Sequence, residues 1–454
     1  MQKDRTKNKI WWWRLIGLLL ILFYLTFALT DGPHTYADSA SYIEKDFARE
    51  PMYALFLWVI RLACGSLGGD AALRAAVIVQ SLIAAWSALV FARTVSELFN
   101  LSRLEDAAVT LCAVFPSLMC RFVANRRMMY SCSILSEALA MPLFLVFFAC
   151  LLRCVIQGGK QTARDAAFWS LVLISVRKQM YITLPLLVLT LLYRGVREKR
   201  FLARLLSAVV LSAAVLLANN LLDRGYNYLL RGEAKPHTGD MRFVTTMLLY
   251  NARPGDEQAI ADPELRDLYN TIIRTADENR YLGSYAPKDW FGRAAHFSQN
   301  YDNIQFICLR DTARPFARAK FGGDETAVSL ELDRINNGLN AALLPGGWTR
   351  LLRTASDSFF VGLLTTALAF SRRLVPAAVL LYLALLALLV WCIRRRQVRA
   401  AEFGLLALAA IAANVGLVSL TIFCQARYTI YNMGIFYTAL FLLARAFLRG
   451  RKQA

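Results

Sequence analysis

Asp31, His34 and Asp38 follow directly on the first long apolar run of the chain, in the stretch DGPHTYADSASYIEKDFAREPMY. A carboxylate there lies beside a lipid headgroup layer, partly desolvated, where it can act on a lipid-linked substrate. Arg177 and Lys178 interrupt a later apolar stretch, and Arg427 stands beside Tyr428 in a turn between the last two apolar runs. An arginine at that depth either grips phosphate through its planar fork or anchors the interface with the neighbouring tyrosine. Glu137 lies one turn inside another apolar segment, where a carboxylate is costly and faces a cavity or a buried arginine. Asp31, His34 and Asp38 also carry the donor atoms of a divalent-metal site, although the same residue types populate ordinary polar loops.

The elements that must position these residues are membrane helices. Of 454 residues, 57% are hydrophobic, and the mean hydropathy is +0.41. Runs of membrane-crossing length are Trp12 to Leu29, Ala71 to Ala92, Ala107 to Val123, Ile134 to Ile156, Leu202 to Leu222, Leu374 to Ile393, Phe403 to Phe423 and Thr429 to Phe447. They are continuous and rich in Leu and Ala, without the period of two that barrel strands require. The region from Ala166 to Tyr193 reads as two short helices meeting at Arg177, Lys178 and Gln179, a break that points into a site or forms a surface turn. The expected fold is an all-α polytopic membrane bundle of about ten crossings.

The formal net charge of +20 reflects topology rather than nucleic-acid binding. Between Asp223 and Ala355 there are 17 basic and 17 acidic residues, so the excess sits in short loops and tails. Lys3, Arg5, Lys7 and Lys9, the Arg194 to Arg204 loop, the Arg394 to Arg399 loop and Arg449 to Lys452 all belong in the cytoplasm by the positive-inside rule. Both termini are then cytoplasmic in a multi-pass plasma-membrane protein. The Asp31 to Tyr53 loop, the Ala124 to Ser133 turn with Arg126, Arg127 and Tyr130, the Arg177 break and the Gln425 to Tyr428 turn face outward. Trp11 to Leu29 is too long and aromatic for a cleavable signal and reads as an anchor. Nine cysteines are scattered mainly as packing residues, with Cys132 and Cys424 near the outer face as a pair to consider.

Three regions follow: residues 1–222 as an N-terminal membrane half with the 31–53 loop, 223–355 as an outer cap, and 356–454 as the C-terminal membrane helices. Pro51 to Cys64 is too short to span and reads as an interfacial helix. In the cap, Asp256 to Tyr281 reads as one helix and Ala327 to Leu344 as another, with Trp348 to Phe370 as an interfacial helix.

Together these features resemble the C-type (GT-C) integral membrane glycosyltransferases, closest to the bacterial branch related to dolichyl-phosphate-mannose protein mannosyltransferases. ADSASYIEKDFAREPMYALFLWVI is similar to the family's first outer loop, which implies that Asp38 is the catalytic base and Tyr42 a substrate contact. Ser39 stands where the family's second acidic residue would be. ILSEALAMPLFL resembles its fourth-helix segment, which implies a site-facing Glu137. SVRKQMYITLPLLVL is similar to its short-helix break, without the usual proline, and QARYTIYNMGIFY to its last outer turn, with Gln425 and Ala426 in place of the acidic part. The resemblance implies inverting transfer of a sugar from a polyprenyl-phosphate carrier to an envelope glycan, lipid or protein acceptor. Arg427, Tyr428, Glu137, Arg177, Lys178 and Tyr42 would then bind substrate. No nucleotide-binding glycine run is present, and a membrane-bound donor needs none.

Two rivals remain at this level. A lipid-linked saccharide transporter would line its route with the broken helix and Glu137, yet transporters often show paired breaks and internal repeats, and one break and no repeat are visible. An envelope glycan polymerase would carry an arginine-rich outer loop but not an Asp38 loop directly after the first helix.

Overall fold

The computed structural model describes residues 2–122, 128–239, 241–368 and 371–451. Arg126, Arg127 and Lys452 lie outside them. In chain order the helices begin with α1 (Gln2–Asp31), α2 (Ser39–Ile43), α3 (Pro51–Cys64), α4 (Gly69–Phe99), α5 (Arg103–Phe122) and α6 (Glu137–Ile156). Next come α7 (Lys160–Val176), α8 (Thr183–Arg197), α9 (Phe201–Arg231), α10 (Arg242–Tyr250), α11 (Pro263–Glu278) and α12 (Trp290–Asp302). The remainder are α13 (Asp311–Phe321), α14 (Glu325–Ala367), α15 (Val375–Arg394), α16 (Val398–Thr421), α17 (Ala426–Thr429) and α18 (Met433–Arg451). Among the described residues there is no strand, only an isolated bridge between His34 and Ser133.

Among the described residues, eight helical segments are long and apolar enough to cross a bilayer, which makes this a multi-pass helical membrane protein. They are Lys9–Asp31, Gly69–Phe99, Glu137–Ile156, Lys178–Arg197, Phe201–Arg231, Arg372–Arg394, Val398–Thr421 and Ala426–Gly450. Two of the ten expected crossings fall short of that standard. Helix α5 opens with Arg103, Glu105 and Asp106 and ends near Arg121, and α7 has only 17 residues.

The chain divides into two compact units. The first comprises 1–235, 366–413 and 430–454. Its centre is α6, which is apolar on every side and therefore buried on nearly every side, whereas α9 and α15 leave most of their Leu and Val side chains uncovered, as a lipid-facing helix does. Phe148 of α6 packs its ring 6.2 Å from Phe91 of α4 and 5.5 Å from Phe403 of α16. Helices α5 and α18 approach closely at Gly434, where a methyl group would stand 2.8 Å from the Cys112 carbonyl oxygen, the small-residue contact that membrane helices use. Helix α9 runs without interruption to Arg231 and stops at Gly232, whose φ of +73° suits glycine at a helix end.

The second unit comprises 236–365 and 414–429. It starts later than the expected boundary at Asp223 because α9 continues past that point. Tyr269, Phe297 and Tyr301 form its core with Ile272, Ile335 and Leu339, and Phe423 closes it with its ring 5.4 Å from Tyr301. The helix expected from Asp256 begins instead at Pro263, after a single tight turn at Asp256–Ala259. Asp262 decides this: its carboxylate accepts the Glu264 N–H at 3.0 Å, and Pro263 occupies the first helical position. Ala327 to Leu344 and Trp348 to Phe370 are not two helices but mostly one, because α14 runs through Pro345 to Ala367.

Candidate active site

The loop after α1 is held by its backbone. His34 donates its N–H to the Cys132 carbonyl and accepts the Ile134 N–H, each at 2.9 Å, so the loop is strapped to the segment that leads into α6. Ser39 locks the strap from within, since its buried hydroxyl donates to the Ile134 carbonyl and accepts the Tyr36 N–H, both at 2.8 Å. That is why a small hydroxyl residue stands beside Asp38: a longer side chain would have to leave this buried position. At the start of the loop Asp31 pairs with Arg121 at 3.0 Å.

Asp38 precedes α2 without capping it. Its Oδ1 meets Arg49 Nη2 at 2.7 Å, while 34% of its side chain stays exposed. Arg49 donates through Nε to the Ser41 hydroxyl at 2.7 Å and lies 4.6 Å from the Tyr42 ring centroid. Burial alone would lower the Arg49 guanidinium, but its neighbours, led by Tyr42 and Asp38, outweigh that and hold it above its ordinary range. It is a fixed positive charge.

Tyr42 carries the arrangement inward. Burial pushes its phenol up to about 12, so it stays protonated and serves as a neutral hydrogen-bonding group. Its hydroxyl meets the Ser136 hydroxyl at 2.9 Å, and Ser136 also accepts from Arg177 Nη1 at 2.9 Å. Arg177 Nη1 then reaches Glu137 Oε2 at 2.8 Å, with the two side chains 12% and 2% exposed. The arginine is available because the chain breaks there: α7 ends at Val176, Arg177 is extended at φ −159°, and Lys178–Ile182 forms a tight turn before α8. Glu50, buried at the start of α3, accepts the Lys178 N–H at 2.8 Å and so satisfies a backbone donor freed by the break. Beneath Tyr42, the Tyr53 hydroxyl donates to Gln80 Oε1 at 2.8 Å, and Gln80 donates to the Ser131 and Ser133 carbonyls.

Asp38, Tyr42, Glu137 and Arg177 are thus joined in one polar chain inside the first unit. Lys178 contributes its backbone to it. Arg427 and Tyr428 belong to the second unit, where Arg427 Nη2 donates to the Tyr428 hydroxyl at 2.7 Å and lies 4.7 Å from that ring. The loop does not gather a metal site: among the described residues no three His, Cys, Asp or Glu side chains cluster as one, Asp31, His34 and Asp38 included. Asp31 faces Arg121, Asp38 faces Arg49, and His34 serves through its backbone. Cys132 and Cys424 are free, buried thiols.

Arg49, Ser136, Glu50 and Gln80 were not evident from the sequence. Arg49 alone had a signal, as one of two basic residues with Lys45 in a mainly acidic loop, whereas Ser136, Glu50 and Gln80 bond to Arg177, Lys178 and Ser131, each 41 residues or more away. Compared with family models, curated proteins and solved structures, the chain matches none.

Proposed function

We propose that this chain is a GT-C-like membrane glycosyltransferase that moves a sugar from a polyprenyl-phosphate carrier to an envelope acceptor. The observation that carries the reading is the continuous polar chain Asp38–Arg49–Tyr42–Ser136–Arg177–Glu137, which joins a partly exposed carboxylate to a buried ion pair at a helix break. Charged groups at membrane depth persist where they serve a site. In the reaction, Asp38 takes the acceptor hydroxyl proton as that oxygen bonds to the sugar carbon, and the bond from that carbon to the phosphate oxygen breaks with inversion. The polyprenyl phosphate leaves with the electron pair, and a cation neutralises it. Lys178, in the same unit as Asp38, is the candidate for that cation. Arg177 is held by Glu137 and positions Ser136 and Tyr42.

The test is transfer of labelled sugar from a polyprenyl-phosphate sugar in reconstituted vesicles, read as label gained by the acceptor. Absence of transfer across donors and acceptors, with the protein folded, overturns the reading.

The reading also requires the second unit on the outer face, with both termini cytoplasmic. A Ser284→Cys variant in a cysteine-free background should react with an impermeant maleimide in intact cells, since Ser284 is exposed. Protection until the membrane is permeabilised would reverse the topology.

A further inference from the structure

The second unit contains a cavity of about 520 Å³, within the range of pockets that take small molecules. Five cations line it, Arg253, Lys288, Arg293, Arg350 and Arg353, and Asp357 is the one lining carboxylate. Two of the five are committed. Arg293 meets Asp357 through two bonds at 2.7 and 2.8 Å, and Arg350 meets Asp256 through two at 2.9 Å. Among the described residues no carboxylate pairs with the side chain of Arg253, Lys288 or Arg353, although Asp256 accepts the Arg253 backbone N–H at 2.9 Å. The two bidentate pairs fix the walls, and the other three cations leave a surplus of positive charge at the cavity.

The local structure explains how they converge. Arg350, Arg353, Thr354 and Asp357 recur at helical spacing and share one face of α14. Arg253 follows the end of α10, and Lys288 precedes Asp289, whose side chain caps α12 by accepting the Gly292 N–H at 2.8 Å. Between the cations lie hydroxyl and amide groups. Thr354 donates to Asn251 Oδ1 at 2.9 Å, while Tyr250 and Ser284 complete a polar surface of the kind that recognises sugar hydroxyls.

We propose that this cavity binds a phosphate-bearing saccharide, with Arg253, Lys288 and Arg353 on the phosphate and the Asn251, Thr354 and Ser284 surface on the sugar. Arginine forks and the lysine ammonium suit a multiply charged oxyanion. The volume exceeds what a lone phosphate fills. The proposal does not depend on the transfer reaction, because binding is measured directly.

The probes are glucose 1-phosphate and glucose, titrated calorimetrically into the full-length protein in detergent. Glucose 1-phosphate should bind at least about tenfold more tightly than glucose, and each of Arg253→Gln, Lys288→Gln and Arg353→Gln should weaken it about tenfold through loss of a charge-assisted hydrogen bond. None of these substitutions orphans a carboxylate, so melting without ligand should stay at the wild-type value. If one of them fails to fold, the other two still give the reading. Nanodiscs of phosphatidylglycerol that compete with glucose 1-phosphate, where phosphatidylcholine nanodiscs do not, would assign the phosphate to a lipid-borne ligand. Lack of competition would assign it to a free saccharide. Equal binding of glucose, or three folded variants that bind as the wild type does, would overturn the proposal. Asp38→Asn should leave this binding unchanged, which separates its failure from that of the transfer reaction.

Discussion

Asp38→Asn is expected to lower sugar transfer by about 10²- to 10⁴-fold, the usual contribution of a general base, with donor binding and melting close to wild type. Asparagine preserves the shape of the side chain and can still accept from Arg49 Nη2, now at 2.7 Å from Asp38 Oδ1. Arg49 also keeps its Ser41 contact, so the substitution leaves the loop packed and removes chiefly the proton acceptor. Asp31→Asn should cost far less in turnover. That carboxylate faces Arg121 across the end of α1, so its loss falls on stability. A near wild-type rate for Asp38→Asn beside a dead Asp31→Asn, both folded, would move the base to Asp31. If both variants transfer normally, the loop is not catalytic.

Arg177→Met should destabilise the folded protein by about 3–5 kcal/mol, because it removes the counter-charge of a carboxylate that is 2% exposed. Combining it with Glu137→Gln should recover much of that loss, since a neutral amide is far cheaper to bury than a carboxylate deprived of its cation. Unfolding in detergent micelles gives both numbers. A single variant that loses less than about 1 kcal/mol, the scale of a surface pair, would show that the bridge does not hold the break in place. The double variant should still transfer sugar poorly, because Ser136 would lose the Arg177 bond that orients it toward Tyr42.

What was legible in the sequence followed from composition and from interruption. Long apolar runs gave most of the helices, and two adjacent charges inside an apolar stretch gave the break at Arg177. Glu137 was open between a site and a buried arginine, and the structure supplies the arginine, Arg177, beside Ser136 and Tyr42. The count of crossings was less legible, since α5 carries charge at both ends and α7 is short, and hydropathy alone does not say what such helices face. Asp262 was a missed helix signal because the helical pattern reads from Asp256, six residues earlier. Glu50 and Gln80 were beyond reach, as each satisfies backbone groups from a distant part of the chain and leaves no periodicity or motif behind.

The strap between His34 and Ser133 imposes an order on biosynthesis. When α1 and its loop leave the ribosome, the residues that hold Asp38 in place have not been made, and the loop waits through α3, α4 and α5 for Cys132 and Ile134. Glu137 then enters with α6 before Arg177 exists, so the nascent chain carries a membrane carboxylate without that counter-ion until the α7 break is translated. During this interval protonation or a local water defect lowers the cost of holding it in the membrane. A pause in translation between α6 and α8 would prolong that exposure, and degradation of the stalled chain should begin there.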